Sequence, residues 1–386
     1  LKALVIGSAF FNMLSLPALL HRAGFCVHVL TTLRSMAWVM YVAELTMAAN
    51  DEELISIAGK KVDYGFDLIV VADDVTLNVI LSSNLSEDHK VKLLPVLRAE
   101  NFEHINSKIA LSELLKKALI NTPDFAVART PDELITQATN IGFPLLVKID
   151  FSGGGVGVYE CVDASQVNAL LSKPMVFPVL LQRKIPGLLF DLSAFFQNGK
   201  LVHFNFAEAI NFFAGAFSPS KLRRYFPLNQ VDTTVCEELK QLGMALGAHG
   251  FVNITCVLSS IDQKRYYIEA DMRPNAWVEY PKFFNDDPAD KIRHYFERGQ
   301  YYQHPEKAAA GYAESFVLAY LPRMNNLEIL LNKYNCRHDF NNYAGYPLLE
   351  WMVLQRLRLF CVQFIKPYMP HIVWSHLKRL WILVFP

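Results

Sequence analysis

Apolar positions open the chain in short runs. ALVIG (3–7), CVHVLTT (26–32) and DLIVVAD (67–73) are aliphatic and β-branched segments separated by stretches of helix length. Strands alternating with helices predict a parallel sheet of the doubly wound type. Residues 3–20 carry no formal charge, so a secretory signal or a membrane span competes with this reading. Gly7, Ser8, Asn12, Ser15 and Pro17 interrupt that run, it barely reaches spanning length, and no clear small-residue cleavage site follows. An opening strand–helix–strand unit is the preferred expectation. The first strand ends at a lone Gly7, without the further glycines of a dinucleotide turn, which disfavours a nicotinamide dehydrogenase.

Further along, the spacing changes. Residues 104–122 read as a helix stopped near Pro123. Residues 130–142 read as a second helix, with Thr130 and Glu133 placed for a capping box, Pro131 in the first turn and Gly142 as the stop. From residue 143 strands follow one another through turns, the mark of antiparallel sheet. Asn198-Gly199 between apolar runs is a strong hairpin signal.

Composition narrows the function classes. The 386 residues hold 37 Lys+Arg and 37 Asp+Glu, and zero net charge removes a bulk electrostatic case for nucleic acid. With 52% hydrophobic and 19% charged residues, global disorder is excluded. The length suggests two or three domains at about 100–200 residues each. Six scattered cysteines without a C-x-x-C pair point to neither a disulfide scaffold nor a zinc finger, and a reducing, cytoplasmic compartment is the simpler expectation. Residues 348–386 interleave Trp351, Phe360, Phe364, Tyr368, Trp374 and Trp381 with Arg356, Arg358, Lys366, Lys378 and Arg379. Two readings stay open for this tail: helices packed on the body or on a second copy in a homodimer, or a peripheral membrane-surface anchor.

Three constellations carry candidate chemistry. In FPLLVKIDFSGGGVGVYECVD (143–163), two apolar strands flank four glycines in S-G-G-G-V-G, a loop able to bring backbone N–H groups against phosphate. Lys148 alternates with the apolar Val147 and Ile149 and so points toward whatever that loop covers. In FVNITCVLSSIDQKRYYIEADMRPN (251–275), a hairpin turns around 262–264, and period-two alternation puts Tyr267, Glu269, Asp271 and Arg273 on one face. Two carboxylates roughly 7 Å apart at Cα are unfavourable without a cation between them, and Mg²⁺ suits such oxygen ligands. Asn253 and Thr255 offer neutral oxygens one strand back. In PVLLQRKIPGLLFDLSAFFQNGKLVHF (178–204), a strand ends at Gln182–Ile185 and Asp191 lies where the chain re-enters a strand. Lys221, Arg223 and Arg224 are further candidates for phosphate or an acidic substrate, with a solvated basic loop as the alternative; His203 and Glu208 sit in an aromatic-rich stretch.

The order of these pieces resembles the ATP-grasp superfamily over residues 1–300. The resemblance implies mixed α/β and α+β structure. A Rossmann-like domain (1–103) precedes a small ATP-grasp subdomain (104–185) and a large one with the metal site (186–300). A mainly helical extension (301–386) follows. It implies ATP with Mg²⁺, or Mn²⁺ in its place, and a ligase that activates a carboxylate as an acyl phosphate for attack by an amine or other nucleophile. A non-catalytic nucleotide-binding or membrane-surface scaffold of the same fold is the alternative. By the same resemblance Lys108, Lys148, Ser152, Gly153, Gly154 and Gly155 face the phosphates. Gln182, Arg183, Lys184 and Ile185 run along the adenine, and Asp191 meets the ribose. Glu269, Asp271 and Asn275 hold the metal, while Arg273 and Lys148 serve catalysis. The chain departs from the family pattern in three places: Asp271 where asparagine is usual, Arg183 where an acid is common, and Thr255 on the preceding metal strand.

Overall fold

The computed structural model describes residues 1–303 except 174, 213–216 and 285, together with 305, 316–319 and the single positions 369, 370, 373 and 376. The uncharged opening segment is a strand followed by helices: β1 (Lys2–Gly7), α1 (Phe10–Met13) and α2 (Leu16–Arg22). Next come β2 (Cys26–Thr31), β3 (Glu44–Met47), α3 (Asp51–Lys61), β4 (Leu68–Val71), α4 (Asp74–Ser82) and α5 (Glu87–Leu93). The sheet order β3-β2-β1-β4 is parallel throughout. β1 is buried on both faces, as a central parallel strand must be, which explains why its sequence is a continuous apolar run. β3 was not announced by the pattern because ELTM is a half-exposed edge strand.

The turn after β1 is closed by an acid from the end of β4. Asp73 Oδ2 accepts the N–H groups of Ser8 (2.7 Å) and Ala9 (3.0 Å), so the protein's own buried carboxylate fills the anion position at this turn. A Cβ on Gly7 would meet Asp73 Oδ2 at 2.9 Å and Met13 Sδ at 2.8 Å.

The second region contains α6 (Lys108–Lys117), β5 (Phe125–Ala128), α7 (Pro131–Ile141), β6 (Leu145–Ile149), β7 (Val158–Cys161), α8 (Ala164–Leu170) and β8 (Val179–Arg183). Its sheet, β5-β8-β6-β7, is antiparallel. Thr130 caps α7 by accepting from Glu133 N, while the Glu133 carboxylate reaches back to Arg129 N at 2.7 Å. Leu134, Ala138, Leu145, Val147, Val167 and Leu181 form a core of their own.

The third region is built on a sheet of order β14-β13-β9-β11-β12-β15, with β10 on β9. Its elements are β9 (Gly187–Gln197), β10 (Lys200–Phe204), β11 (Phe206–Phe212), β12 (Ser220–Phe226), α9 (Thr233–Leu246), β13 (Gly250–Ser259), β14 (Arg265–Asp271), α10 (Pro288–Arg298) and β15 (Phe316–Ala319). Asn198 and Gly199 turn the β9–β10 hairpin with φ of 53° and 73°, as a type I′ turn requires. Two core clusters join this region to the first: Ile6, Leu77 and Ile80 pack with Phe190, Phe196 and Leu239, and Val5 and Leu19 with Phe195, Phe251 and Ile292. The parallel sheet and the large sheet therefore share their interior, whereas the small antiparallel sheet keeps a separate one.

Within the segment read as a helical extension, residues 316–319 are a strand paired with β12. The remaining helical expectation, and the basic-aromatic tail apart from positions 369, 370, 373 and 376, lie outside the described residues. Among the described residues no helix is long and apolar enough to cross a membrane.

Candidate functional site

Two lysines approach from the small sheet and the helix before it. Lys148, on β6, is buried, and its Nζ donates to Gln182 Oε1 at 2.7 Å on the adjacent strand β8. Burial brings its pKa down to about 8, with Glu269 opposing the shift. Lys108 begins α6 and is also buried; its Nζ donates to the Asp150 carbonyl at 2.9 Å and to the Ser152 carbonyl. Asp150 anchors the junction: its carboxylate accepts from the Ser107 hydroxyl at 3.0 Å and from Ile109 N at 2.9 Å, capping α6 from the end of β6. Two positions past Lys148, Asp150 shares its strand parity, and Ser107 is the N-cap just before Lys108. Those were the signals in the sequence that named neither as a tether.

The glycine loop follows directly. Gly154, Gly155 and Gly157 have φ of 63°, 81° and 75°. At Gly155 a Cβ would fall 2.0 Å from the Phe217 carbonyl oxygen, so this loop touches the entry to β12 through backbone alone.

The hinge segment divides. Gln182 faces Lys148, and its Nε2 is buried without a hydrogen-bond partner among the described residues. Arg183 turns away: its guanidinium donates to Asp124 Oδ2 at 3.2 Å and to the Ile141 carbonyl at 2.6 Å. Lys184 is ion-paired with Glu160 at 2.6 Å, and Ile185 is half-buried. The side chains of Arg183 and Lys184 are thus committed to the small sheet and its helix, and only their backbone remains for a ligand.

The acids come from the large sheet. Register places Thr255 opposite both Asp191 and Glu269, and Asn253 opposite Asp271. Asp191 is buried; Oδ1 accepts from Thr255 Oγ1 at 2.9 Å and Oδ2 is ion-paired with Arg223 at 2.8 Å. Glu269 is half-buried and has no hydrogen-bond partner among the described residues. Burial first, then the Asp271 charge, push its carboxyl up to about 7, with Lys148 and Lys108 opposing. Asp271 Oδ2 accepts from Arg273 at 3.0 Å and Asn253 Nδ2 at 3.2 Å. Arg273 also donates to Asp74 Oδ1 at 2.6 Å, at the start of α4, so the first region reaches the site through one guanidinium. Burial works against the charge on Arg273, but Asp271 and Asp74 hold its pKa above the ordinary value.

Asn275 stands one step behind. Its Oδ1 accepts from Ser193 Oγ at 3.1 Å and Trp277 N at 2.9 Å, and its Nδ2 donates to Asn253. The structure sets it as a support for Asn253 rather than as a free oxygen beside Glu269 and Asp271. Tyr267 also departs from the strand pattern. A bulge between Thr255 and Cys256 shifts the register, and Tyr267 enters the core with Ala270 and Met272 instead of sharing the face of Glu269.

The basic stretch 221–224 lies on strand β12. Arg223 is buried, stacks on Trp277 at 4.7 Å from the ring centroid, and donates through Nε to Ser220 Oγ at 3.0 Å. Arg224 pairs with Glu208 at 2.8 Å, and His203 lies 3.2 Å from Asp286. Alternation along 220–226 was the available signal that Arg223 and Arg224 point to opposite sides.

Register sets Glu269 and Asp191 on either side of Thr255, with Asp271 two positions along the same strand, and the charges of Asp271, Lys148, Lys108 and Asp191 all bear on the Glu269 carboxyl. Among the described residues no three His, Cys, Asp or Glu side chains form a closed metal cage. Two carboxylates, one without a hydrogen bond and with a raised pKa, fit a cation that completes its shell with ligand oxygens and water. The buried, unpartnered Gln182 Nε2 fits an acceptor on a bound ring or phosphate.

No protein-family model matches the chain. Among curated proteins it is similar to the carbamoyl phosphate synthase large chain of Clostridium botulinum, 23% identical over 238 residues. That match covers 60% of this chain and 22% of the relative, so the chain spans less than a quarter of the relative's length. Among solved structures, N5-carboxyaminoimidazole synthetase from Staphylococcus aureus superposes with a TM-score of 0.61 at 14% identity, covering 87% of each chain. The biotin carboxylase domain of Hydrogenobacter thermophilus 2-oxoglutarate carboxylase, solved with MgADP and bicarbonate, gives 0.57 at 14% identity, covering 79% and 71%. L-amino acid ligase from Bacillus licheniformis gives 0.51 at 16% identity, covering 72% and 69%. At these identities the likeness establishes a common fold.

Proposed function

We propose that this chain, which has the ATP-grasp fold, is an ATP- and Mg²⁺-dependent ligase that phosphorylates a small carboxylate and passes the acyl group to an amine. The carrying observation is the meeting of Lys108 and Lys148 with Glu269, which has no hydrogen bond among the described residues and stands beside Asp271, below a glycine loop free of Cβ obstruction. Solved neighbours with ADP and magnesium bound support the nucleotide and metal assignment.

In this reading Lys108 and Lys148 neutralise phosphate oxygens, and Ser152, Gly153, Gly154 and Gly155 offer backbone N–H groups from above. Gln182 donates through its free Nε2, while Arg183, Lys184 and Ile185 contribute backbone. Glu269 and Asp271 are the Mg²⁺ ligands, with Asn275 supporting them through Asn253; the ion, when bound, offsets charge building on the transferring phosphoryl group. Asp191, held between Thr255 and Arg223, presents a fixed carboxylate edge toward the sugar. Arg273 orients the carboxylate substrate by exchanging one of its two acidic partners for it. The chemistry is positioning and electrostatic stabilisation, with no covalent enzyme intermediate.

Thr255 favours a second reading, nucleotide binding without turnover, because its hydroxyl is committed to Asp191 where the family usually places a metal ligand. One experiment separates the two. With MgATP and a panel of carboxylates and amines, ligase activity predicts ADP release only when both partners are present. ADP binding without release from any pair would favour the non-catalytic reading, and absence of nucleotide binding would remove both.

A further inference from the structure

A second cluster of reactive side chains lies away from the nucleotide clasp, near the N-terminal end of β2 in the parallel sheet. Cys26 and His28 are two apart on β2 and project from one face. The exposed Cys26 Sγ is 3.9 Å from His28 Nε2. Glu44, the register partner of His28 on β3, lies with Oε2 3.0 Å from His28 Nδ1. Lys61, from α3, pairs with Glu44 Oε1 at 2.6 Å and holds that carboxyl below its usual range; Thr46 Oγ1 adds a bond at 3.2 Å. A carboxylate can only accept, so the Nδ1–H of His28 is directed at Glu44, and its other ring nitrogen, Nε2, is the one that faces the sulfur. Nucleophile, base and orienting carboxylate stand in the order that activates a thiol.

Cys26 also lines a surface groove of about 500 Å³, whose walls include Phe25, Val27, Tyr41 and Val42. His21 stacks on Tyr41 at its rim, with 4.7 Å between ring centroids. Ligands of open α/β sheets gather at the carboxyl ends of the strands, and this groove is at the other end. The other described cysteines, Cys161, Cys236 and Cys256, are buried, and burial pushes each thiol up, that of Cys256 to about 12.

We propose that Cys26, assisted by His28 and Glu44, is a nucleophilic thiol that exchanges with a small disulfide bearing an apolar or aromatic group seated in this groove. His28 Nε2 takes the thiol proton and Sγ attacks one sulfur of the disulfide. A new S–S bond forms as the old one breaks, and the departing thiolate recovers the proton from His28. The disulfide is the oxidant: one of its sulfurs leaves reduced as a thiol, while the other is retained in the mixed disulfide on Cys26.

The test uses the full chain and 5,5′-dithiobis(2-nitrobenzoate), an aromatic disulfide, following release of its coloured thiolate and mapping the adduct by mass. The expected result is a fast phase mapped to residue 26 and absent from Cys26→Ser. His28→Gln should slow that phase about tenfold or more at neutral pH, and Glu44→Gln, which leaves both reacting groups in place, should slow it as well. A fast phase surviving in Cys26→Ser, or a Cys26 rate unchanged in both other variants, overturns the proposal. Thiolate release is read independently of ATP turnover, so the outcome leaves the ligase reading untouched.

Discussion

Glu269→Gln is expected to lower ATP turnover by on the order of 10²–10³, the range seen when one preorganised electrostatic contact is lost. Glu269 is the acid best prepared to meet a cation: half-buried, without a hydrogen bond among the described residues, and raised to about 7 by burial and by Asp271. A carboxyl in that state holds a proton that a metal must displace. Below a pH of about 7 the proton competes with the ion; above it the carboxylate is free. Mg²⁺–ADP binding to the unaltered protein should therefore tighten as pH rises through about 7 and release protons as it does so. In the glutamine variant that dependence should flatten, because the amide has nothing to release. Calorimetry in buffers of different ionisation enthalpy at about pH 6 and about pH 8 reads both effects. Full turnover and an unchanged pH profile in the variant would remove Glu269 from the metal site.

The largest effect on stability is expected at Arg223. Its ion pair with Asp191 is 2.8 Å long, with side-chain exposures of 7% and 11%. Arg223→Ala strips Asp191 of its ion-pair partner, leaves the carboxylate buried against the Thr255 hydroxyl, and removes the stack on Trp277. Breaking one side of such a buried pair costs about 3–5 kcal/mol. The neighbouring Arg224 provides the comparison. Its own side chain is 41% exposed in the pair with Glu208, so Arg224→Ala should cost about 0–1 kcal/mol. Urea unfolding of both variants measures the contrast, and equal small losses would mean that Asp191 is satisfied in some other way.

Much of the fold was legible where local chemistry decides it. The apolar runs of β1, β2 and β4, the cap at Thr130 and the Asn198-Gly199 turn each have a short-range cause, and each is found. The large hairpin was legible for the same reason. Tyr267 was placed on the wrong face because a bulge breaks strict alternation, and nothing in YYIEAD marks where the register slips. β3 escaped because an edge strand need not be apolar.

Site residues divide along the same line. Lys148 and Glu269 sit on strands whose parity points them inward, and the structure brings their charges together. Arg183 and Lys184 are diverted by Asp124 and Glu160, partners on other elements that the hinge motif does not specify. Asp74 reaches Arg273 across 199 positions of sequence, a separation that only the docking of the parallel sheet on the large one can close. Asn275 has the right parity for a ligand, but the Trp277 N–H and Ser193 hydroxyl take its oxygen.

The measurement closest to the proposed chemistry follows oxygen. A carboxylate substrate labelled with ¹⁸O, supplied with MgATP and an amine that together give ADP release, should transfer one labelled oxygen to inorganic phosphate for each amide formed. Attack of the carboxylate on the γ-phosphate leaves that oxygen bridging carbon and phosphorus until the amine displaces it. ADP release with unlabelled phosphate would mean that water is the phosphoryl acceptor, and would contradict carboxylate activation at the Lys148–Glu269 site.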